Sequence, residues 1–133
     1  MARGTGTKGL SWQQRLLLIR LLQKEKHDWP VAWREVNSHG WQHVSSPDFD
    51  TARVQWNIEQ TTRRALRCLQ DRGLVRLGAH AFDPIQGNRG IEWCYIHPGK
   101  HVPGRSRWMT GAMLTEAGRE VARMAQEETP RSQ

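Results

Sequence analysis

Cysteine is scarce in this chain, with only Cys68 and Cys94 among 133 residues. Two cysteines cannot build the disulfide framework of a small secreted domain, so a reducing compartment is expected. Long apolar runs are also lacking. The longest, Leu16-Leu17-Leu18-Ile19, is bracketed by Arg15 and Arg20 and is far too short to span a membrane. The N-terminus lacks the apolar stretch and small-residue cleavage site of a signal peptide, so a cytoplasmic location without a membrane partner is expected. Tyrosine and phenylalanine are rare, one and two residues, against seven tryptophans, so tryptophan must supply the large aromatic anchors of a core or an interaction surface. Enzyme signatures are missing too. There is no Gly-rich phosphate loop, no nucleophile elbow and no His-Glu-x-x-His, so an enzyme is not expected.

Acidic charge is in deficit. Twenty Lys and Arg face thirteen Asp and Glu, a net charge of +7 with a pI near 10.4, which favours a polyanionic partner such as nucleic acid. The excess is blocked rather than spread. Residues 51–107 hold ten basic and four acidic side chains, and residues 1–26 hold six and one. The length suits one domain with one core, and the balance of 37% apolar to 25% charged residues is that of a globular chain.

Residues 1–10, rich in glycine and threonine with Arg3 and Lys8, are expected to form a flexible basic arm, and 127–133 a flexible tail. The folded domain then covers 11–126. Ser11-Trp12-Gln13-Gln14 has the pattern of a capping box, opening a first helix that runs to about Lys26. Asp28-Trp29-Pro30 reads as a second helix start, with Pro30 in the first turn, Trp33 and Val36 inward, and a stop near Gly40. The third helix is expected from about Thr51 to Arg72. Val54, Ile58, Thr61, Ala65 and Leu69 form its buried side, Leu66 flanks it, Cys68 is a small core residue, and Gly73 ends it.

Residues 74–82 and 91–96 suggest two strands around a turn at 83–90, a β-hairpin. An irregular basic loop at 97–107 and a last helix over 110–126 follow. Cys94, His97 and His101 carry metal-ligand chemistry but lack a Cys-x-x-Cys partner, so neither a metal nor a cofactor is expected.

The centre of the pattern is the run from Gln60 to Val75. Thr61 and Thr62 lead into Arg63 and Arg64, then Leu66-x-x-Leu69, then Gly73-Leu74-Val75. Leu114-Thr115-Glu116-Ala117-Gly118 follows the hairpin. Together these resemble the recognition helix, first wing strand and post-wing motif of winged helix-turn-helix transcription regulators, over about residues 11–126. The resemblance implies an α+β, mainly α fold with three helices, a β-hairpin wing and a C-terminal helix. It implies sequence-specific binding of double-stranded DNA by a repressor-like regulator, commonly a homodimer. The first and last helices would be the dimer elements.

Physically, the polar side of the third helix offers Arg53, Asn57, Gln60, Arg63, Arg64 and Arg67, and Thr61, beside Gln60, is a further DNA-contact candidate. Arginine can grip guanine and Asn or Gln adenine in a major groove, while other basic groups meet phosphates. Arg89 at the wing tip and Lys100, Arg105 and Arg107 in the next loop would touch the flanking backbone. Two rival readings use the same scaffold: an adaptor or inhibitor that meets a protein partner through exposed Trp and Arg, with Trp41, Trp56 and Trp108 as discriminators, and an RNA binder.

Overall fold

The computed structural model describes residues 7–25, 29–36, 51–87 and 90–128, with side chains from residue 60 onward in the helix that begins at Thr51. Helix α1 (Trp12–Lys24) starts at the expected capping box: the Ser11 hydroxyl accepts the Gln14 N–H, and the Gln14 side chain accepts the Ser11 N–H. Leu17, Leu18 and Leu21 fall on one stripe and are buried, and the helix ends at Lys24, before the expected Lys26. Strand β1 (Val31–Ala32) follows, and helix α2 is described over 33–36. The expectation that Pro30 opens a helix is therefore wrong. Val31 and Ala32 pair with Ala112 and Gly111, and the helical turn begins only at Trp33. Trp33 and Val36 are buried as expected. Half-buried Arg20 of α1 donates to the Val36 carbonyl at 3.1 Å and ties the two helices together; burial lowers its guanidinium pKa.

Helix α3 (Thr51–Asp71) has the expected length, but its inward side is rotated. Thr62, Ala65, Leu66 and Leu69, at i, i+3, i+4 and i+7, are buried, while Thr61 and Cys68 are exposed. Thr61 and Thr62 fit either register by polarity, and the large Leu66 decides it by entering the core with Leu69. Val54 and Ile58 lie on α3, and their side chains are outside the described set. Gly73 ends the helix as expected. Its φ is 77°, its N–H donates to the Gln70 carbonyl, and the Leu74 N–H reaches back to Leu69, the two bonds of a Schellman cap.

Four strands form one sheet in the order β1-β4-β2-β3, all neighbours antiparallel. Strand β2 (Val75–Gly87) is its spine. Residues 75–82 pair with β4 (Arg107–Leu114), and residues 82–87 pair with β3 (Gly90–Tyr95) on the opposite edge. Two expectations are corrected here. Residues 110–114 are strand, because the long edge of β2 must find backbone partners and Ala112 and Leu114 bury one face against the helices. Residues 83–87 continue β2 instead of turning. The Ile96 N–H donates to the Ala81 carbonyl, which sets the alternation so that Pro84 falls between hydrogen-bonded pairs, where a missing N–H costs nothing.

The segment from 96 to 106 crosses from one edge of β2 to the other. Arg105 clasps Asp83 at 2.8 Å and 3.3 Å to hold it, and these bonds keep the Asp83 carboxyl below the usual carboxylate range. The sheet is curled enough to bring its edge strands β1 and β3 near each other. Phe82, fully buried, sits at the changeover beside Tyr95 and His80.

Helix α4 (Glu116–Glu128) packs on α1 and buries Gly118, Val121, Ala122 and Ala125. Arg119 of α4 grips Glu25 with three hydrogen bonds, at 2.9 Å, 3.1 Å and 3.3 Å. The apolar stripes of α1 and α4 thus face each other within one chain. Residues 7–10 differ from the expected flexible arm: Thr7 is buried and bonded to Glu128, and Arg72 holds the Lys8 and Gly9 carbonyls. Residues 1–6 and 129–133 lie outside the described residues.

Candidate nucleic-acid interface

A groove of about 560 Å³ opens between α3 and the sheet. Arg63 and Arg67, at i and i+4, form its helix wall with Gln70, while Leu77, Ala79 and Thr110 form the sheet wall. Gln70 accepts the Leu77 N–H at 2.9 Å, which ties the helix to β2 at the groove. Trp33 closes one end. It is only 2% exposed, and Arg63 stacks over its ring at 4.7 Å with Arg34 at 5.1 Å. Each such contact holds a guanidinium in place without neutralising it, and is worth about 0.5–1 kcal/mol at a surface.

The residues expected at the site are distributed as follows. Arg63, Arg64 and Arg67 are exposed on α3, and Thr61 is exposed beside them; Gln60 is half-buried. Arg63 and Arg67 share the groove, whereas Arg64 points off it, so the expected alignment of Gln60 with Arg64 is not the one that meets the sheet. Arg53 and Asn57 lie on α3, with side chains outside the described set, and Arg89 is outside the described residues. Lys100 and Arg107 are exposed on the crossing segment and at the start of β4. Arg105 is committed to Asp83, an intramolecular role that its sequence neighbourhood did not signal.

Sequence reasoning missed Arg34, Trp33, Gln70 and Thr110. Their contribution depends on tertiary contact; only the i, i+3 placement of Gln70 after Arg67 could have suggested a shared face. Trp108 stands 71% exposed on β4, two residues before Thr110 and so on the same sheet face as the groove. Trp41 lies outside the described residues, as does the side chain of Trp56. Among the described residues, no group of three or more His, Cys, Asp or Glu could hold a metal ion, and no helix is long and apolar enough to cross a membrane. Cys68 and Cys94 are not joined in a disulfide.

No known protein family, curated protein or solved structure matches this chain.

Proposed function

We propose that this chain is a winged helix-turn-helix type module that binds double-stranded DNA, with α3 directed into the major groove and the adjacent sheet edge against the backbone. The observation that carries the reading is the pair Arg63 and Arg67 lining one open groove together with Asp71, with Arg63 and Arg34 both over the Trp33 ring at its end; among the described residues none of these three arginines is in an ion pair. The element order supports the fold assignment: helix, short strand, helix, helix, then a sheet whose last strand takes the early short strand at its edge. The inserted β3, on the far side of β2, would lengthen the wing. A repressor-like regulator acting by occupancy in the cytoplasm is the role that suits such a module. In a homodimer, the stripes of α1 and α4 are already used within the chain, so the second copy would use what they leave exposed, such as Trp12 and Met124.

A second reading has a specific observation behind it. Exposed Trp108 near the groove is the kind of anchor a protein partner or an unstacked base would cover. Titrating random duplex DNA, single-stranded DNA and RNA over a range of salt tests the choice. Duplex binding that weakens steeply with salt supports the DNA reading. Preference for single strands favours stacking on Trp108, and no binding at low salt favours a protein partner.

A further inference from the structure

The two edges of the curled sheet, β1 and β3, approach each other without pairing. A cavity of about 320 Å³ occupies that seam, closed by the end of α1 and by Glu35 of α2. This is the size of a small-molecule pocket. It is separate from the α3 groove, and none of its lining residues is shared with it. Trp29, Trp93 and Tyr95 bring three aromatic residues to its lining and Glu35 brings an acidic one, whereas the side chain of Glu92, also at the lining, lies against Gly87 of β2. In a chain of net charge +7 this is an aromatic site with a carboxylate, Glu35, at its wall.

The carboxylates are held in different ways. Glu25 also lines the cavity but is taken up by Arg119. Glu35 is fixed because its Oε2 accepts the outward N–H of Trp93 at 3.1 Å, a bond that joins α2 to the free edge of β3. Its Oε1 lies 3.5 Å from the Lys24 ammonium. The Lys24 side chain is 32% exposed, so it can swing into solvent while Glu35 stays anchored. Lys24 therefore marks a place where a positive charge sits against Glu35 at the mouth of an aromatic-lined cavity.

We propose that this seam binds a small organic cation, an amine or quaternary ammonium with an apolar body, which takes the place of the Lys24 ammonium beside Glu35 and packs against Trp29, Trp93 and Tyr95. Carboxylate and ring faces both attract a cation, and the rings also cover its apolar body. An anion would meet the Glu35 carboxylate, and a neutral ligand would gain nothing from it. The inference stands independently of the nucleic-acid reading.

The test titrates the full chain with benzyltrimethylammonium at constant ionic strength and follows the indole N–H resonances, assigned through Trp29→Phe and Trp93→Phe. Phenylacetate and benzyl alcohol serve as the anionic and neutral comparisons. The expected result is saturable shifts of the Trp29 and Trp93 indoles with benzyltrimethylammonium alone. Glu35→Gln keeps an oxygen for the Trp93 N–H and so keeps the fold, yet it should weaken binding about tenfold, or about 1.4 kcal/mol. Lys24→Met should tighten binding, because it removes the competing ammonium; a residue that merely supported the wall would not do so. Absence of saturable shifts, equal binding of phenylacetate, or an affinity unmoved by both variants would overturn the proposal.

Discussion

Replacing Gly118 by alanine should destabilise the protein, although helix propensity alone argues the opposite. Gly118 lies in the first turn of α4, where alanine would ordinarily be favoured over glycine by up to about 1 kcal/mol. Here the helix presses on the chain leaving α3. A Cβ on Gly118 would lie 2.8 Å from the Leu74 carbonyl carbon and 3.2 Å from its Cα, and would overlap the carbonyl oxygen. These are backbone atoms, so no rotamer change relieves the clash. The same junction carries three hydrogen bonds: Thr115 N–H to the Leu74 carbonyl at 3.1 Å, Thr115 hydroxyl to the Gly73 carbonyl at 2.7 Å, and Gly118 N–H to the Thr115 hydroxyl at 3.0 Å. Moving α4 away strains the first two, each worth about 1 kcal/mol, on top of an overpacking cost of about 1–3 kcal/mol. After the propensity gain, a net loss of about 2 kcal/mol remains, which lowers Tm by roughly 6–10 °C for a chain of this size. Thermal and urea denaturation followed by circular dichroism measure it, with Ala117→Gly in the same turn as the pure propensity comparison. A Tm for Gly118→Ala equal to or above that of the parent would refute the reasoning.

Three further outcomes follow from the packing and the charge pairs. Gly73→Ala places a side chain at a φ of 77° with no neighbour within 4 Å, so the loss should be the backbone strain alone, about 1 kcal/mol, and Gly73→Asn should recover part of it in urea melts. Phe82→Ala empties the fully buried changeover point of the sheet and should cost about 3–5 kcal/mol by the same assay. Because Arg105 lowers the Asp83 carboxyl, the folded chain gives up that proton more readily than the unfolded chain. The pair's contribution is therefore present above the ordinary carboxylate value and lost as pH falls through the lowered one. The stability gap between the parent and Asp83→Asn should close on acidification; a gap that widens contradicts the assignment.

Local signals were legible in the sequence wherever a short-range rule decided the outcome. The Ser11 and Gln14 capping box, the span of α3 and the Gly73 cap depend on neighbours within a turn or two, and all three stand. The Leu114-Thr115-x-x-Gly118 motif gained its physical meaning only in three dimensions, as the clamp between α3 and α4. What could not be read was decided by partners distant in the chain. Residues 110–114 satisfy a helical spacing, but the unpaired edge of β2 claims them. Pro84 resembled a turn signal until the phase of the β2–β3 ladder gave it a harmless place. At the site, the basic character of α3 was evident, but which arginines share a groove depends on how α3 is rotated against the core. Leu66 sets that rotation, and it selects Arg63 and Arg67 over Arg64.

The salt dependence of duplex DNA binding by Arg63→Ala/Arg67→Ala, compared with the parent and with Arg123→Ala at an exposed position of α4, tests the central claim most directly. If the α3 groove faces DNA and both guanidiniums meet phosphates, the slope of log K against log salt becomes shallower by about 2, while Arg123→Ala leaves it unchanged. An unaltered slope in the double variant, with the fold intact, would contradict the account and move the nucleic-acid contact away from α3.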